Sequence, residues 1–105
     1  MNQRSARFSI GQVIRHNLYA YRGVIVDIDP EYQGDEACYA RMARTRPPKD
    51  RPWYQVLVHE SDSEAYVAER NLKPDDTSEP VTHPRLNVYF HSFLDGQYRS
   101  RSSLH

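Results

Sequence analysis

Apolar and polar positions alternate in short runs over the first two thirds of the chain, and the period lengthens in the last third. Phe8 and Ile10 stand two apart, Gly11-Gln12 breaks the run, and it resumes at Val13. After Gly23 the chain passes through Val24, Ile25, Val26 and Ile28, a pattern of short paired strands. Asp27-Ile28-Asp29-Pro30 should end the second strand, because proline has no N–H to give to a ladder. Trp53 to Val58 is the most strand-like run, with Tyr54, Val56 and Val58 on one face and Trp53, Gln55 and Leu57 on the other. Both faces are partly apolar, which places this strand centrally. On that split Tyr54 and Tyr66 are expected in the core and Trp53 outside it, an assignment that a one-residue bulge would reverse. His59 to Glu64 reads as a hairpin loop and Ala65 to Ala68 as the returning strand.

The segments between these runs have their own signals. Gly34 to Arg44 carries acids early, arginines late and good helix formers between, as the helix dipole favours. Thr45 to Pro52, with its three prolines, reads as an extended surface loop, and Lys73 to Pro80 as a linker. Leu86, Tyr89, Phe90, Phe93 and Leu94 fall on one stripe of a helix spanning about residues 84–95, with Pro84 in its first turn and Gly96 as its cap. Its expected cover is the protein's own barrel, a subunit or client contact being the alternative. The tail 99–105 is expected to fray. The fold expectation is therefore mainly β: one domain over 1–105, holding a small SH3-like β-barrel at about 8–72 with a short inserted helix and a C-terminal amphipathic helix.

Composition narrows the function. The chain has 105 residues, with 14 basic balanced by 14 acidic, so any surface for nucleic acid must be local. All but two of the bases are Arg, whose guanidinium fork binds phosphate or carboxylate bidentately. A single cysteine, Cys38, excludes an intrachain disulfide and points to a reducing compartment. No signal core and no membrane-length apolar run is present, so a cytoplasmic location is expected. Phosphate loops, nucleophile elbows and metal-ligand spacings are all missing from the sequence, as is any cofactor motif, so a non-enzymatic binding protein is expected.

The candidate contacts follow from charge. Arg41, Arg44, Arg46, Lys49 and Arg51, flanked by Tyr39 and Trp53, mix cations with aromatic rings in a way that suits a phosphate backbone and stacked bases, although a solvated charged loop fits the same run. Arg15 and Arg22 would extend the patch if the fold brings them to it. His16 suits either a polar contact or a hydrogen-bonded structural role. Asp27 and Asp29, two apart, read as a turn device and as partners for Arg15 or Arg22.

Five blocks in order carry a resemblance: Gly11-Gln12-Val13-Ile14-Arg15-His16, Tyr21-Arg22-Gly23-Val24, Asp27-Ile28-Asp29-Pro30, Pro52-Trp53-Tyr54 and Tyr66-Val67-Ala68-Glu69. Together they resemble the heat shock protein HspQ family, also called the hemimethylated DNA-binding or YccV-like family, over roughly residues 8–98. The resemblance implies two roles. One is a stress-response factor that binds client proteins or the ATP-dependent Lon protease and promotes degradation. The other is a reader of hemimethylated DNA at newly replicated sites. Exposed aromatic and arginine anchors favour the adaptor, and the neutral charge counts against the DNA reader, so the adaptor ranks first. Homo-oligomerisation is left open.

Overall fold

The computed structural model describes residues 6–42 and 46–101. The chain is mainly β, as expected. Its elements are β1 (Val13–His16), β2 (Arg22–Asp29), α1 (Glu36–Met42), β3 (Trp53–Val58), β4 (Glu64–Ala68), β5 (Leu72–Pro74), α2 (Leu86–Tyr89), β6 (Phe90–Leu94) and β7 (Gln97–Ser100). The first five strands form one antiparallel sheet in the order β4-β3-β2-β1-β5, and β6-β7 is a separate hairpin.

The expected barrel is an open sheet. All five strands contribute to a single buried cluster that includes Ile14, Ile25, Tyr54, Val67 and Leu72, with Phe8 packed into it. The edge strands β4 and β5 are joined only by a 3₁₀ turn, Glu69–Asn71, so the sheet curls around this cluster. No ladder closes the edges, because β4 pairs only with β3 and β5 only with β1. Lys73 to Pro80 is not simply a linker. Its first residues belong to β5, where Lys73 pairs with Arg15 and Pro74 with Ile14.

A bulge re-aims one side chain. The β2–β3 pairing steps from Ile25↔Val56 to Asp27↔Gln55, leaving Val26 as the extra residue. Strict alternation would put Ile28 with Val24 and Val26. After the bulge Ile28 instead faces the cluster that holds Ile25 and Tyr54.

The opposite face of the sheet has two covers. Over Val13, Val24, Val26 and Leu57 lie Val81, Phe90 and Tyr98, with Leu86, Tyr89 and Phe93 beside them. The Tyr98 hydroxyl donates to the Val81 carbonyl at 3.1 Å and accepts from the Val81 N–H at 2.8 Å. Over the far end lies α1 with the loop that follows it, so that Tyr39, Trp53 and Ala68 form a third cluster.

The C-terminal helix expected over 84–95 is one turn, Leu86–Tyr89, followed by a hairpin. Asp95-Gly96 decides the matter. Their φ values of 56° and 77° are both positive, as a tight two-residue hairpin turn requires, and Leu94 pairs with Gln97 across them. The apolar stripe fits a helical period, yet Phe90 and Tyr98 are buried from two strands facing the sheet. The tail expected to fray from 99 holds Arg99 and Ser100 in β7, while 102–105 lie outside the described residues. Gly11 fixes the hairpin to the sheet. It donates to Ile25 O at 2.8 Å and accepts from Tyr98 N at 2.9 Å, and at its φ of +91° a Cβ would lie 2.2 Å from the Tyr98 carbonyl oxygen.

Candidate nucleic-acid and partner interface

The basic segment after α1 is braced against the sheet. Asp35 caps α1 through its Oδ1, which accepts from Cys38 N at 2.7 Å, and Glu36 lies in the first turn. Tyr39 on α1 donates its hydroxyl to Pro47 O at 2.7 Å, and the Trp53 indole N–H reaches Pro48 O at 3.1 Å. Pro47 and Pro52 are fully buried, so the stretch expected to be a surface loop contributes to the core at both prolines. Its polar residues still point outward. Arg46 is exposed with its guanidinium 5.5 Å from the Tyr39 ring centre; Lys49 lies over the same ring and pairs with Glu36. Arg41 is exposed, and Arg44 lies outside the described residues.

Trp53 is not the exposed anchor expected from the sequence; it is 2% exposed. The alternation itself holds, since Tyr54 joins the inner cluster and Trp53 the other face. That face is covered by Tyr32 and Tyr39, at ring-centre distances of 4.8 and 6.2 Å, and Tyr66 lies 5.3 Å away. Tyr66, expected in the core, is half-buried beside Trp53; its hydroxyl donates to Asp29 at 2.5 Å. Burial, followed by that bond to a carboxylate, raises the Tyr66 pKa. Asp27 Oδ1 accepts from the Ile28 N–H within β2 beside the bulge and not in a turn, and Asp29 takes Tyr66 as its partner, so the two aspartates do not serve Arg15 and Arg22 as expected.

Arg15 and Arg22 do not extend the basic loop. Both converge on Asp75, whose side chain is fully buried: Arg15 at 3.2 Å and Arg22 at 3.1 Å. Arg22 also donates to the carbonyls of Glu79 and Pro80, pinning residues 75–80 to β2. Burial alone would raise the Asp75 pKa, but the Thr77 hydroxyl and the Arg22 guanidinium outweigh it and hold the carboxyl below its usual range. His16 is also structural. Its Nδ1 accepts the N–H groups of Leu18 and Tyr19 at 3.0 and 3.2 Å, and burial lowers its pKa.

The residues that do gather lie at the base of the β3–β4 hairpin. Arg7, Arg51 and Arg70 line a groove of about 190 Å³ with Pro48, Ala68 and Glu69 as its remaining walls. Glu69 Oε1 accepts from Arg7 N at 2.9 Å and from the Tyr54 hydroxyl at 2.5 Å, which ties the groove floor to the core. Burial first, then this carboxylate, raises the Tyr54 pKa. Arg51 is half exposed and pairs with Asp50 at 3.4 Å. A sequence model of the family described as hemimethylated DNA-binding protein YccV like matches residues 6–97. The chain belongs to the YccV-like family. Every residue of the groove falls within the matched region, so at family level the chain is of the hemimethylated-DNA-binding or HspQ type.

Of the candidate residues, the YccV-like fold assigns Arg15, His16, Arg22 and Trp53 to internal structure and leaves Arg41, Arg46, Lys49 and Arg51 at the surface. Sequence reasoning missed Arg7 and Arg70, which lie outside the dense basic run and reach it only through the curl of the sheet. Asp75 was missed as well, although Asp75 and Thr77, two apart, carry the local signature of a side-chain-capped turn.

Proposed function

We propose that this YccV-like protein is a non-catalytic binding protein that holds duplex DNA by its phosphates, with hemimethylated duplexes as its specific target. The observation that carries this reading is the groove of Arg7, Arg51 and Arg70 beside a braced loop displaying Arg46 and Lys49. Guanidinium forks spaced around a shallow groove match phosphate oxygens, and the buried prolines and Trp53 order the loop beforehand, so that binding costs it little conformational entropy. A neutral total charge does not oppose the reading. Arg15 and Arg22 meet the buried Asp75 and Arg85 meets Glu64 at the surface, so a total summed over the whole chain says little about the local charge of the groove.

The test is fluorescence anisotropy against one duplex across a salt series. Replacing Arg51 and Arg70 by Gln should weaken binding to every sequence and reduce the salt slope by roughly one to two, since each phosphate left unneutralised lowers it by about 0.9. An unchanged slope would remove the groove from the DNA surface.

A second reading rests on a different surface. Ile10 and Val88 are exposed at 40% and 65%. They border a cleft of about 300 Å³ whose walls include Tyr89 and Phe90. Such a patch suits an HspQ-type adaptor that presents clients to the Lon protease. The adaptor ranks second on the fold, because two of the anchors that favoured it, Trp53 and a helical aromatic stripe, are buried or recast as a hairpin. Degradation of a client by purified Lon, with and without this protein, tests it; an unchanged rate rejects it. Both readings imply a cytoplasmic protein, and the same patch could mediate self-association, which light scattering across concentrations would detect.

A further inference from the structure

The loop between β1 and β2 displays two large apolar side chains on a backbone with little freedom to move. Leu18 is 53% exposed and Tyr19 58%, adjacent in sequence. Single exposed apolar residues are ordinary, but a neighbouring pair on a rigid tip invites a reason. Around the tip, His16 N donates to Tyr21 O at 2.9 Å, Ala20 N to His16 O at 3.0 Å, and Arg15 Nη1 to Ala20 O at 3.2 Å. The imidazole accepts from Leu18 N and Tyr19 N, and its ring lies 4.7 Å from that of Tyr19. Ala20 adopts a φ of +62°, a conformation that costs a residue with a Cβ roughly 1 kcal/mol. The surrounding bonds hold this strain in place, as is common where a segment is kept ready for contact.

The tip adjoins the arginine groove. Asn17 donates its backbone N–H to Asn71 O at 2.8 Å and its side-chain N–H to Arg70 O at 2.9 Å. Tyr19 is two residues further on, at most about 8 Å along the chain. The major groove of B-DNA is about 12 Å wide and admits a two-stranded β-ribbon, while phosphates line its edges. A hairpin tip bonded to the backbone of the segment that carries Arg70 suits such a groove in shape, with phosphate-binding groups close by.

Resting on the DNA-binding reading above, we infer that Leu18 and Tyr19 form the apolar contact that reads a base methyl group in the major groove while Arg7, Arg51 and Arg70 hold the adjoining phosphates. A methyl group adds only apolar surface, and burying one carries roughly a fourfold preference. Recognition therefore needs an apolar contact in a fixed position, which the braced tip supplies. His16 connects the reading to pH, since a protonated imidazole cannot accept the Leu18 and Tyr19 N–H groups. Among the described residues, the Tyr19 and Tyr21 rings face the imidazole at 4.7 and 5.1 Å.

The experiment compares unmethylated, hemimethylated and fully methylated duplexes, with the methyl group on adenine N6 in one set and on cytosine C5 in the other. For the full chain, anisotropy should show a preference of about fourfold or more for a hemimethylated over an unmethylated duplex in at least one set, the methyl contact itself giving no preference over the fully methylated one. In Leu18→Ser with Tyr19→Ser both affinities should fall, the hemimethylated one further, until the ratio reaches one while the salt slope stays as it was. Leu18→Ala alone should lose part of the ratio, and melting curves would verify that both variants fold. A ratio retained by the folded double variant overturns the tip as the methyl contact. Equal binding of all duplexes by the unaltered protein overturns methyl reading but leaves phosphate binding standing. Failure to bind any duplex overturns both.

Discussion

Trp53→Ala should destabilise this protein severely, not merely weaken a partner contact. The indole is 2% exposed and packs among the rings of Tyr32, Tyr39 and Tyr66 on a strand with neighbours on both sides. Truncating a buried Trp costs roughly 3–5 kcal/mol, because transfer free energy is lost and a cavity remains. The indole N–H to Pro48 O adds about 1 kcal/mol, part of which water recovers, since Pro48 is exposed. A net loss of about 4 kcal/mol would lower the melting temperature of a domain this size by roughly 15–30 °C. Circular dichroism should follow the transition, because Trp53 is the sole tryptophan and tryptophan fluorescence would vanish with it. Trp53→Phe separates the contributions: it keeps an aromatic ring in the cluster, loses the N–H, and should cost about 1–2 kcal/mol. It should also loosen the 46–52 loop, reducing DNA affinity by more than its loss of stability explains. A Trp53→Ala protein melting within about 5 °C of the parent would refute the claim that the aromatic cluster anchors the loop.

Three further outcomes are expected. Asp75→Asn should cost roughly 3 kcal/mol in urea denaturation, because two guanidinium groups lose the buried carboxylate that orders residues 75–80; a loss under about 1 kcal/mol would show that water replaces it. The folded His16 pKa lies below its unfolded value of 6.5, so its contribution to stability is present above that pH and is lost as pH falls through the lowered folded pKa; melting temperatures from about pH 8 to about pH 5 should fall, and His16→Gln should remove that part of the slope. Gly11→Ala should destabilise by about 3 kcal/mol or more, since a Cβ would collide with the Tyr98 carbonyl; an Ala variant as stable as the parent would mean that the C-terminal hairpin can move away from the sheet.

What the sequence disclosed follows the range of the forces involved. Alternation in Trp53–Val58 placed each side chain on its proper face, because a period of two is a property of one strand. Which face was covered depended on α1 and the loop after it, and no local pattern carries that information. The C-terminal error has a local cause. The stripe from Leu86 to Leu94 satisfies a helical period, but Asp95-Gly96 is a strong hairpin signal, and Tyr98 beyond it supplies the cross-strand partner of Phe93. The turn dipeptide was more informative than the period. Barrel closure is a matter of edge pairing, and the inward faces of β4 and β5 look the same whether or not their edges meet.

The candidate site shows the same limit in sharper form. As letters, the arginines are interchangeable; in the fold they divide by where they sit, and Arg51 stays at the surface although it pairs with Asp50. Arg15 and Arg22 reach a carboxylate 60 and 53 residues away, and Arg85 reaches one 21 residues away. Those pairings arise from sheet order and cannot be read from a charged run. Once they are assigned, the remaining cations are no longer a property of the Arg-rich loop alone. Arg7 from the approach to β1 and Arg70 from the turn between β4 and β5 join Arg51 because the sheet curls its edges towards each other. The same curl lays Asn17, and with it the Leu18-Tyr19 tip, against Arg70. The proposed phosphate anchors and the proposed methyl contact thus become neighbours through one feature of the topology, the short turn that joins the two edge strands. Lengthening that turn with inserted glycines should therefore weaken DNA binding and methyl preference together, even though no arginine and no tip residue is changed.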